Sequence, residues 1–219
     1  RPSMSGPSPI SQPRFLVLDG IDGAGKSSQL AALVEWLQST GRSVVVCRDP
    51  GSTVAGDAIR SILLDRHEIH LAPTAEMLLY MAARAQLVAD VIRPALARGD
   101  WVVSDRYLIA NIVYQGYAGG LDPETIRSIG GVATGGVMPD LVVVLDVDLE
   151  TSARRLDRPL DKLEARGDSY RQSVRQGYLA EAARDPRRIR VVDAAGDIDD
   201  VATRIRATVA DACGLPAAG

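Results

Sequence analysis

The chain has 219 residues, of which 46% are hydrophobic, 24% charged and only 4% aromatic, so it can form one domain with a largely aliphatic core. Its net charge of −3 argues against a basic surface that binds nucleic acid along the whole chain. No apolar run approaches the roughly 20 residues that span a bilayer, and two cysteines form no disulfide framework, so we expect a cytoplasmic protein without a membrane partner.

Apolar and helical patterns alternate along most of the chain. Residues 1–13 are polar and proline-rich and predict a disordered tail, followed by a single domain over 14–213 and a flexible tail over 214–219. Strands are expected at Phe15–Leu18, Ser43–Cys47, Trp101–Ser104, Leu141–Asp146 and Ile189–Val192. Helices are expected near 26–38, 54–64, 74–98, 107–117, 123–133, 149–156, 162–184 and 198–212. This alternation predicts an α/β protein in which helices flank a five-stranded parallel sheet, and Pro94 is expected to kink or shorten the long middle helix.

The first predicted strand leads into a glycine-rich segment, Gly20-Ile21-Asp22-Gly23-Ala24-Gly25-Lys26-Ser27, which fits the pattern G-x-x-x-x-G-K-[ST]. The segment lies between a strand and a helix, which is the context that a phosphate-binding loop requires. Its glycines let backbone N–H groups converge on phosphate oxygens, Lys26 can reach the terminal phosphates, and Ser27 can ligate Mg²⁺. The sequence therefore predicts a three-layer P-loop NTPase fold.

Charged residues follow the predicted strands at their carboxyl ends, where ligands of parallel sheets bind. Arg48 follows the second strand, Asp105 and Arg106 follow the third, and Asp146 ends the fourth. A carboxylate in such a position commonly holds Mg²⁺, directly or through water. Asp105 is the preferred candidate, with the N-cap of the next helix as its alternative role, and Asp146 is the second candidate.

Five blocks of the sequence carry a more specific signal. They are Leu18–Gln29, Arg48–Thr53, Tyr80–Leu87, Asp105–Gly116 and Arg158–Glu164. In this order they resemble the thymidylate kinases, and the resemblance runs from about Phe15 to about Ala210. The P-loop is shared by many families, whereas Asp-Arg-Tyr followed by Tyr-Gln-Gly is far more specific. The resemblance implies in-line phosphorylation of dTMP to dTDP by ATP with Mg²⁺, in dTTP biosynthesis, by a homodimer formed through helix contacts.

The resemblance also assigns residues to each substrate. Arg84 would meet the thymine carbonyl, Tyr80 would stack on the ring, and Arg106 would lie in the phosphate region. The acceptor set is Asp22, Arg48, Pro50, Arg60, Tyr80, Arg84, Arg106, Asn111, Tyr114 and Gln115. The ATP set is Gly20, Ile21, Asp22, Gly23, Ala24, Gly25, Lys26, Ser27, Ser28 and Asp193, of which Asp193 has a cap-like alternative. The catalytic set is Asp22, Lys26, Arg106 and Arg158, and the metal ligands are Ser27 and Asp105.

A basic stretch over about 154–164 resembles the mobile lid of the family. Its residues of interest are Arg154, Arg158, Asp161 and Glu164. Closure of such a lid would carry an arginine, preferably Arg158 and otherwise Arg154, onto the transferring phosphate and would exclude water. The alternative for this stretch is a solvated basic helix end.

The chain departs from the family pattern at a few positions. Asp49 stands where Glu is usual, Ser52 where Gly is usual, Lys162 where Arg is common, and Ala110 replaces a serine. None of these changes removes an indispensable cation, so we expect an active enzyme. The alternatives are a kinase for another nucleotide or nucleoside and a P-loop regulatory ATPase, and the missing N-K-x-D motif disfavours a Ras-type switch.

Overall fold

The computed structural model describes residue 12, residues 14–156 and residues 167–215. Within this part of the chain, five strands form one sheet: β1 Phe15–Gly20, β2 Val44–Arg48, β3 Trp101–Asp105, β4 Leu141–Asp146 and β5 Ile189–Asp193. Every pair is parallel, and the strands lie in the order β2-β3-β1-β4-β5. The predicted five-stranded parallel sheet is confirmed.

Helices connect successive strands. Those described are α1 Lys26–Ser39, α2 Val54–Arg60, α3 Pro73–Leu87, α4 Arg93–Ala97, α5 Leu108–Asn111, α6 Pro123–Thr134, α7 Leu149–Arg155, α8 Asp168–Arg184 and α9 Ile198–Cys213. Wider π-helical turns follow α2 and α5, at Ser61–Asp65 and Ile112–Tyr117. None of these described helices has the length and apolar character needed to cross a membrane.

The long middle helix changes its hydrogen-bond pattern just before Pro94. A π-helical turn, Val88–Ile92, follows α3, and α4 resumes with Pro94 in its first turn. Proline lacks an N–H group and its ring would clash with the carbonyl four residues earlier, so a wider turn accommodates it. The predicted kink therefore takes the form of a local widening in an otherwise continuous helical stretch.

Burial of the sheet is greatest at its centre. All of β1 is buried, as are β3 and β4 except for their last residues, whereas the edge strands β2 and β5 keep exposed positions. This explains why the three central strands are apolar without alternation, since helices cover both of their faces. Because β1 lies between β3 and β4, the loop after β1 emerges between the carboxyl ends of both neighbours.

Candidate active site

The loop between β1 and α1 lies so close to its neighbours that two of its positions require glycine. A Cβ on Gly20 would lie 2.5 Å from the carbonyl oxygen of Leu145, and one on Gly23 would lie 2.2 Å from that of Ser152. Both glycines also have positive φ angles, 132° and 80°. The loop backbone therefore packs directly on β4 and α7.

This loop lines a cleft of about 1100 Å³ at the carboxyl ends of the strands. Among the residues expected to bind ATP, those from Asp22 to Ser28 line the cleft. Gly20 and Ile21 do not line it, but their carbonyl oxygens accept hydrogen bonds from Lys26 Nζ at 3.1 and 3.0 Å. The cleft is large enough for a nucleoside triphosphate, and the N–H groups at the start of α1 face it with partial positive charge.

The loop after β5 forms another wall of this cleft, but not through Asp193. The carboxylate of Asp193 accepts a hydrogen bond from the Ala195 N–H at 2.9 Å, as in the cap-like alternative. The lining residues come from further along the loop and from α9: Ala194, Gly196, Asp197, Ile198, Asp199 and Val201. A contact between Asp193 and ATP stays a prediction.

Asp105 is the carboxylate that fits a metal at this site. It lines the cleft together with Ser27, and its Oδ1 atom is buried without a hydrogen-bond partner among the described residues. The rival Asp146 is engaged, since its two oxygens accept hydrogen bonds from Arg175 Nε and Nη2 at 2.7 and 2.8 Å. Mg²⁺ prefers carboxylate and hydroxyl oxygens, so Asp105 and Ser27 are suited to hold it.

A second, smaller pocket of about 100 Å³ adjoins the cleft. All residues of the expected acceptor set line it except Arg48, which lines the larger cleft instead. Arg48 is half-exposed and donates a hydrogen bond to Asp57 Oδ1 at 3.1 Å. The small pocket also includes three residues outside that set, Asp49, Leu64 and Ala110. The structure therefore brings together the expected residues from the P-loop, α2, α3 and the α5 region.

One end of the small pocket is lined by Asp49, Arg84, Asn111 and Gln115. These four residues and Glu76, which accepts a hydrogen bond from Gln115 outside the pocket wall, are here called the Arg84 cluster. The Arg84 side chain is 1% exposed and donates from Nε to Asp49 Oδ2 at 2.6 Å. Its Nη1 atom donates to Asn111 Oδ1 at 3.1 Å. Asp49 is buried as well, so little solvent reaches this ion pair, and it holds the guanidinium in one orientation.

The other end is lined by Asp22 and Arg106. Together with Asp19, Lys26 and Tyr178, which contact them from outside the pocket, they are here called the Arg106 cluster. Arg106 has a φ angle of 67°, which is unusual for a residue with a Cβ. Its N–H donates to the Leu18 carbonyl at 2.9 Å, and its own carbonyl accepts from Ser104 Oγ at 2.7 Å. These bonds hold the turn that projects Arg106 across the end of β1.

Each terminal nitrogen of Arg106 has a separate set of partners. Nη1 donates to Asp19 Oδ1 and to Tyr178 Oη, both at 2.9 Å, and to the Gly20 carbonyl at 3.0 Å. Nη2 donates to Asp22 Oδ1 at 2.6 Å. Nη1 is therefore anchored to the protein interior, whereas Nη2 is paired with a carboxylate that itself lines both cavities.

Asp22 connects the cations of the Arg106 cluster. Its Oδ1 atom accepts from Lys26 Nζ at 3.3 Å, and its Oδ2 atom accepts from the Tyr114 hydroxyl at 3.1 Å. Burial by itself raises the pKa of this carboxyl. The charges of Arg106 and Lys26 lower the pKa by more than burial raises it, so it lies well below its usual range. Asp22 is therefore ionised at neutral pH and neutralises the positive charge around it.

The sequence did not predict that several further residues belong to the site. Ser152 on α7 donates to the Asp22 carbonyl at 2.8 Å and accepts from Arg171 Nη2 at 2.7 Å, so α7 and α8 both support the P-loop. Tyr178 lies far along the chain in α8 and donates to Asp19 Oδ1 at 2.6 Å. Asp19 could have been suspected, because it is an acid in a buried strand directly before the motif.

The expected lid lies largely outside the described residues. Arg158, Asp161, Lys162 and Glu164 all fall there, so their roles stay predictions. Arg154 lies at the end of α7, is exposed and pairs with Glu150. Its neighbour Arg155 lines the cleft, and donates hydrogen bonds to the carbonyls of Ala194 and Gly196 at 2.9 and 3.0 Å.

Comparisons with known proteins agree with this geometry. The family model for thymidylate kinase matches residues 18–205. A thymidylate kinase of Rhodopirellula baltica is 44% identical over 203 residues, covering 91% of this chain and 82% of that protein. One from Pelotomaculum thermopropionicum is 47% identical over 184 residues, covering 83% and 85%. The crystal structure of thymidylate kinase from Ehrlichia chaffeensis superimposes with a TM-score of 0.67 at 29% identity, covering 82% of this chain and 91% of that one.

Proposed function

The chain belongs to the thymidylate kinase family and phosphorylates dTMP to dTDP, and we propose that ATP in the large cleft is the donor and dTMP in the small pocket is the acceptor. One observation carries this assignment. Asp22, Asp49, Arg60 and Arg106 line both cavities, so the two meet at a wall of charged side chains. A phosphoryl group can pass between two nucleotides only at such a junction, where cations offset the charge of both phosphates.

Positioning and charge neutralisation are the contributions that we assign to the protein. Arg106 and Lys26 both pair with Asp22 Oδ1 and carry the positive charge of the junction. When phosphates enter, their oxygens can replace the Asp22 carboxylate as partners of Lys26 Nζ and Arg106 Nη2. The anchored Nη1 of Arg106 keeps its place during this exchange, which holds the guanidinium ready for in-line transfer.

Mg²⁺ is the cofactor that we propose, with Ser27 and Asp105 as the residues that would hold it. The unpartnered Oδ1 atom of Asp105 supports this choice. A bound Mg²⁺ neutralises charge on the donor phosphates. The remaining contribution would come from the lid, where we retain Arg158 as the residue that reaches the transferring phosphate.

The proposal is tested by the release of ADP from ATP in a coupled assay with purified protein. We expect release on adding dTMP with Mg²⁺, weaker release with dUMP, and little with dGMP, UMP or thymidine. Release that depends on thymidine but not on dTMP would assign the small pocket to a nucleoside. Release without any acceptor would favour a regulatory ATPase.

A homodimer in the cytoplasm completes the proposal. On the described surface, the outer faces of α2 and α3 expose apolar side chains, with Val54 93% and Leu78 48% exposed and the small Ala58 and Ala82 exposed beside them. Exposed apolar side chains on these two helices suit contact with a second copy of the same surface. We expect analytical ultracentrifugation to find a dimer, and Leu78→Asp to yield monomers. A monomeric wild-type protein would contradict the proposal.

A further inference from the structure

A chain of hydrogen bonds runs through the Arg84 cluster from a residue that can only donate to one that can only accept. Arg84 Nη1 donates to Asn111 Oδ1 at 3.1 Å, and Asn111 Nδ2 donates to Gln115 Oε1 at 2.6 Å. Gln115 Nε2 then donates to Glu76 Oε1 at 2.9 Å. Arg84, Asn111 and Gln115 line the small pocket, whereas Glu76 lies outside its wall.

The two ends of this chain determine the orientation of both amides. A guanidinium has donors and no acceptor, and an ionised carboxylate has acceptors and no donor. If Asn111 turned over, its NH₂ group would face Arg84, and if Gln115 turned over, its oxygen would face the Glu76 carboxylate. Only the observed direction satisfies all three bonds, and burial of Asn111 and Gln115 makes an unsatisfied arrangement unfavourable.

The fixed direction matters for the base that enters the pocket. A 4-oxo pyrimidine such as thymine or uracil offers an acceptor at O4 and a donor at N3, whereas cytosine offers a donor at its 4-amino group and an acceptor at N3. The Arg84 N–H groups and the Asn111 oxygen complement the first pattern and oppose the second. To bind cytosine, Asn111 would have to turn over, and Gln115 would have to follow it against Glu76.

We propose that Glu76 is a positioning residue that fixes the amide orientations of Asn111 and Gln115 and thereby makes the enzyme select 4-oxo over 4-amino pyrimidine nucleotides. The proposal rests on the proposed function, because it requires the base of the acceptor to lie in the small pocket. Glu76 acts through Gln115 and does not touch the base.

The test is the ratio of kcat/KM for dTMP to that for dCMP in wild type and in Glu76→Gln. A glutamine at position 76 has nearly the same shape, but it can present either a donor or an acceptor to Gln115. The amide orientations of Gln115 and Asn111 are then no longer fixed. We expect the ratio to fall about tenfold, the effect of one hydrogen bond to a charged group. The ratio for dTMP to dUMP should not change, because both bases present the same edge.

A charge exchange provides the matched rescue. In the double variant Glu76→Gln/Gln115→Glu the carboxylate moves from position 76 to position 115. There it accepts hydrogen bonds from Asn111 and from the glutamine at position 76. This restores the orientation of Asn111, so we expect the preference for dTMP over dCMP to return even if the absolute rate stays low. An equal loss of activity with dTMP, dUMP and dCMP in Glu76→Gln, at an unchanged melting temperature, would overturn the proposal. Inactivity of the wild type with dTMP would instead reject the proposed function.

Discussion

The Arg84 and Arg106 clusters both present a guanidinium to the small pocket, but they hold it in different ways. Arg84 belongs to the regular helix α3, is 1% exposed and pairs with Asp49 inside the core. Arg106 is 16% exposed, lies in a turn with a φ angle of 67°, and pairs with two carboxylates. The first arrangement is part of the packed core, whereas the second is a set of charges beside a large cleft.

This difference indicates a division of roles between the clusters. In the Arg84 cluster almost every polar group has a fixed partner. Such a site suits recognition of a neutral base by its pattern of hydrogen-bond donors and acceptors. In the Arg106 cluster Asp22 can give up its cations to an incoming phosphate, which suits a site that must bind and release polyanions. Substitutions in the first cluster should therefore affect stability and base selection, and those in the second should affect turnover.

The largest effect is expected for Arg106→Ala. Turnover of dTMP should fall by about 10³-fold or more, because the substitution removes the cation that we propose lies between the two phosphates. The fold should persist, since Asp19 keeps its hydrogen bonds from the Gly20 N–H and the Tyr178 hydroxyl. Steady-state kinetics and circular dichroism would check both outcomes. Near-normal turnover would show that Arg106 does not act at the junction, and the proposed difference in role between the two clusters would be wrong.

Asp49→Ala should have the next largest effect, and it should appear in stability. Without its partner, Arg84 would be a buried charge, and breaking a buried ion pair in this way costs about 3–5 kcal/mol. Urea denaturation would measure the change in the free energy of unfolding. Asp57→Ala is the matched control, because it breaks the half-exposed pair with Arg48, which is worth about 0–1 kcal/mol. Equal effects of the two substitutions would contradict the assignment of Arg84 to the core.

Tyr178→Phe should separate anchoring from charge in the Arg106 cluster. It removes one hydroxyl that donates to Asp19 and accepts from Arg106, and it leaves every charge in place. We expect kcat to fall about tenfold with a smaller change in KM for dTMP, because the anchored nitrogen becomes less restricted. Tyr117→Phe is the control, since its hydroxyl donates to Glu181 away from both cavities. A similar loss in both variants would indicate a general packing effect.

The sequence predicted the parts of the site that follow from local pattern. The glycines around Lys26 and the acids and arginines at strand ends were found because strand, loop and helix occupy consecutive positions in the chain. The partners that come from distant helices were not found, because nothing in a single sequence relates Tyr178 or Ser152 to the P-loop. The sequence identified Asp49 only as a departure from the family pattern, and the structure shows that its carboxylate pairs with Arg84.

The smallest effect is expected for a substitution of Arg48, and it tests whether Arg106 alone binds the acceptor phosphate. The sequence placed Arg48 and Arg106 at the carboxyl ends of parallel strands, and the family resemblance placed both in the acceptor set. In the structure the Arg48 side chain is 53% exposed and pairs with Asp57, outside the small pocket. Arg48→Ala should therefore reduce kcat/KM for dTMP by less than about tenfold, because the Arg48 side chain lies outside the small pocket and is already paired with Asp57. The same assay as for Arg106→Ala would measure it. A loss of comparable size would mean that Arg48 leaves Asp57 when the acceptor binds, and that the phosphate end of the site is built from two arginines after all.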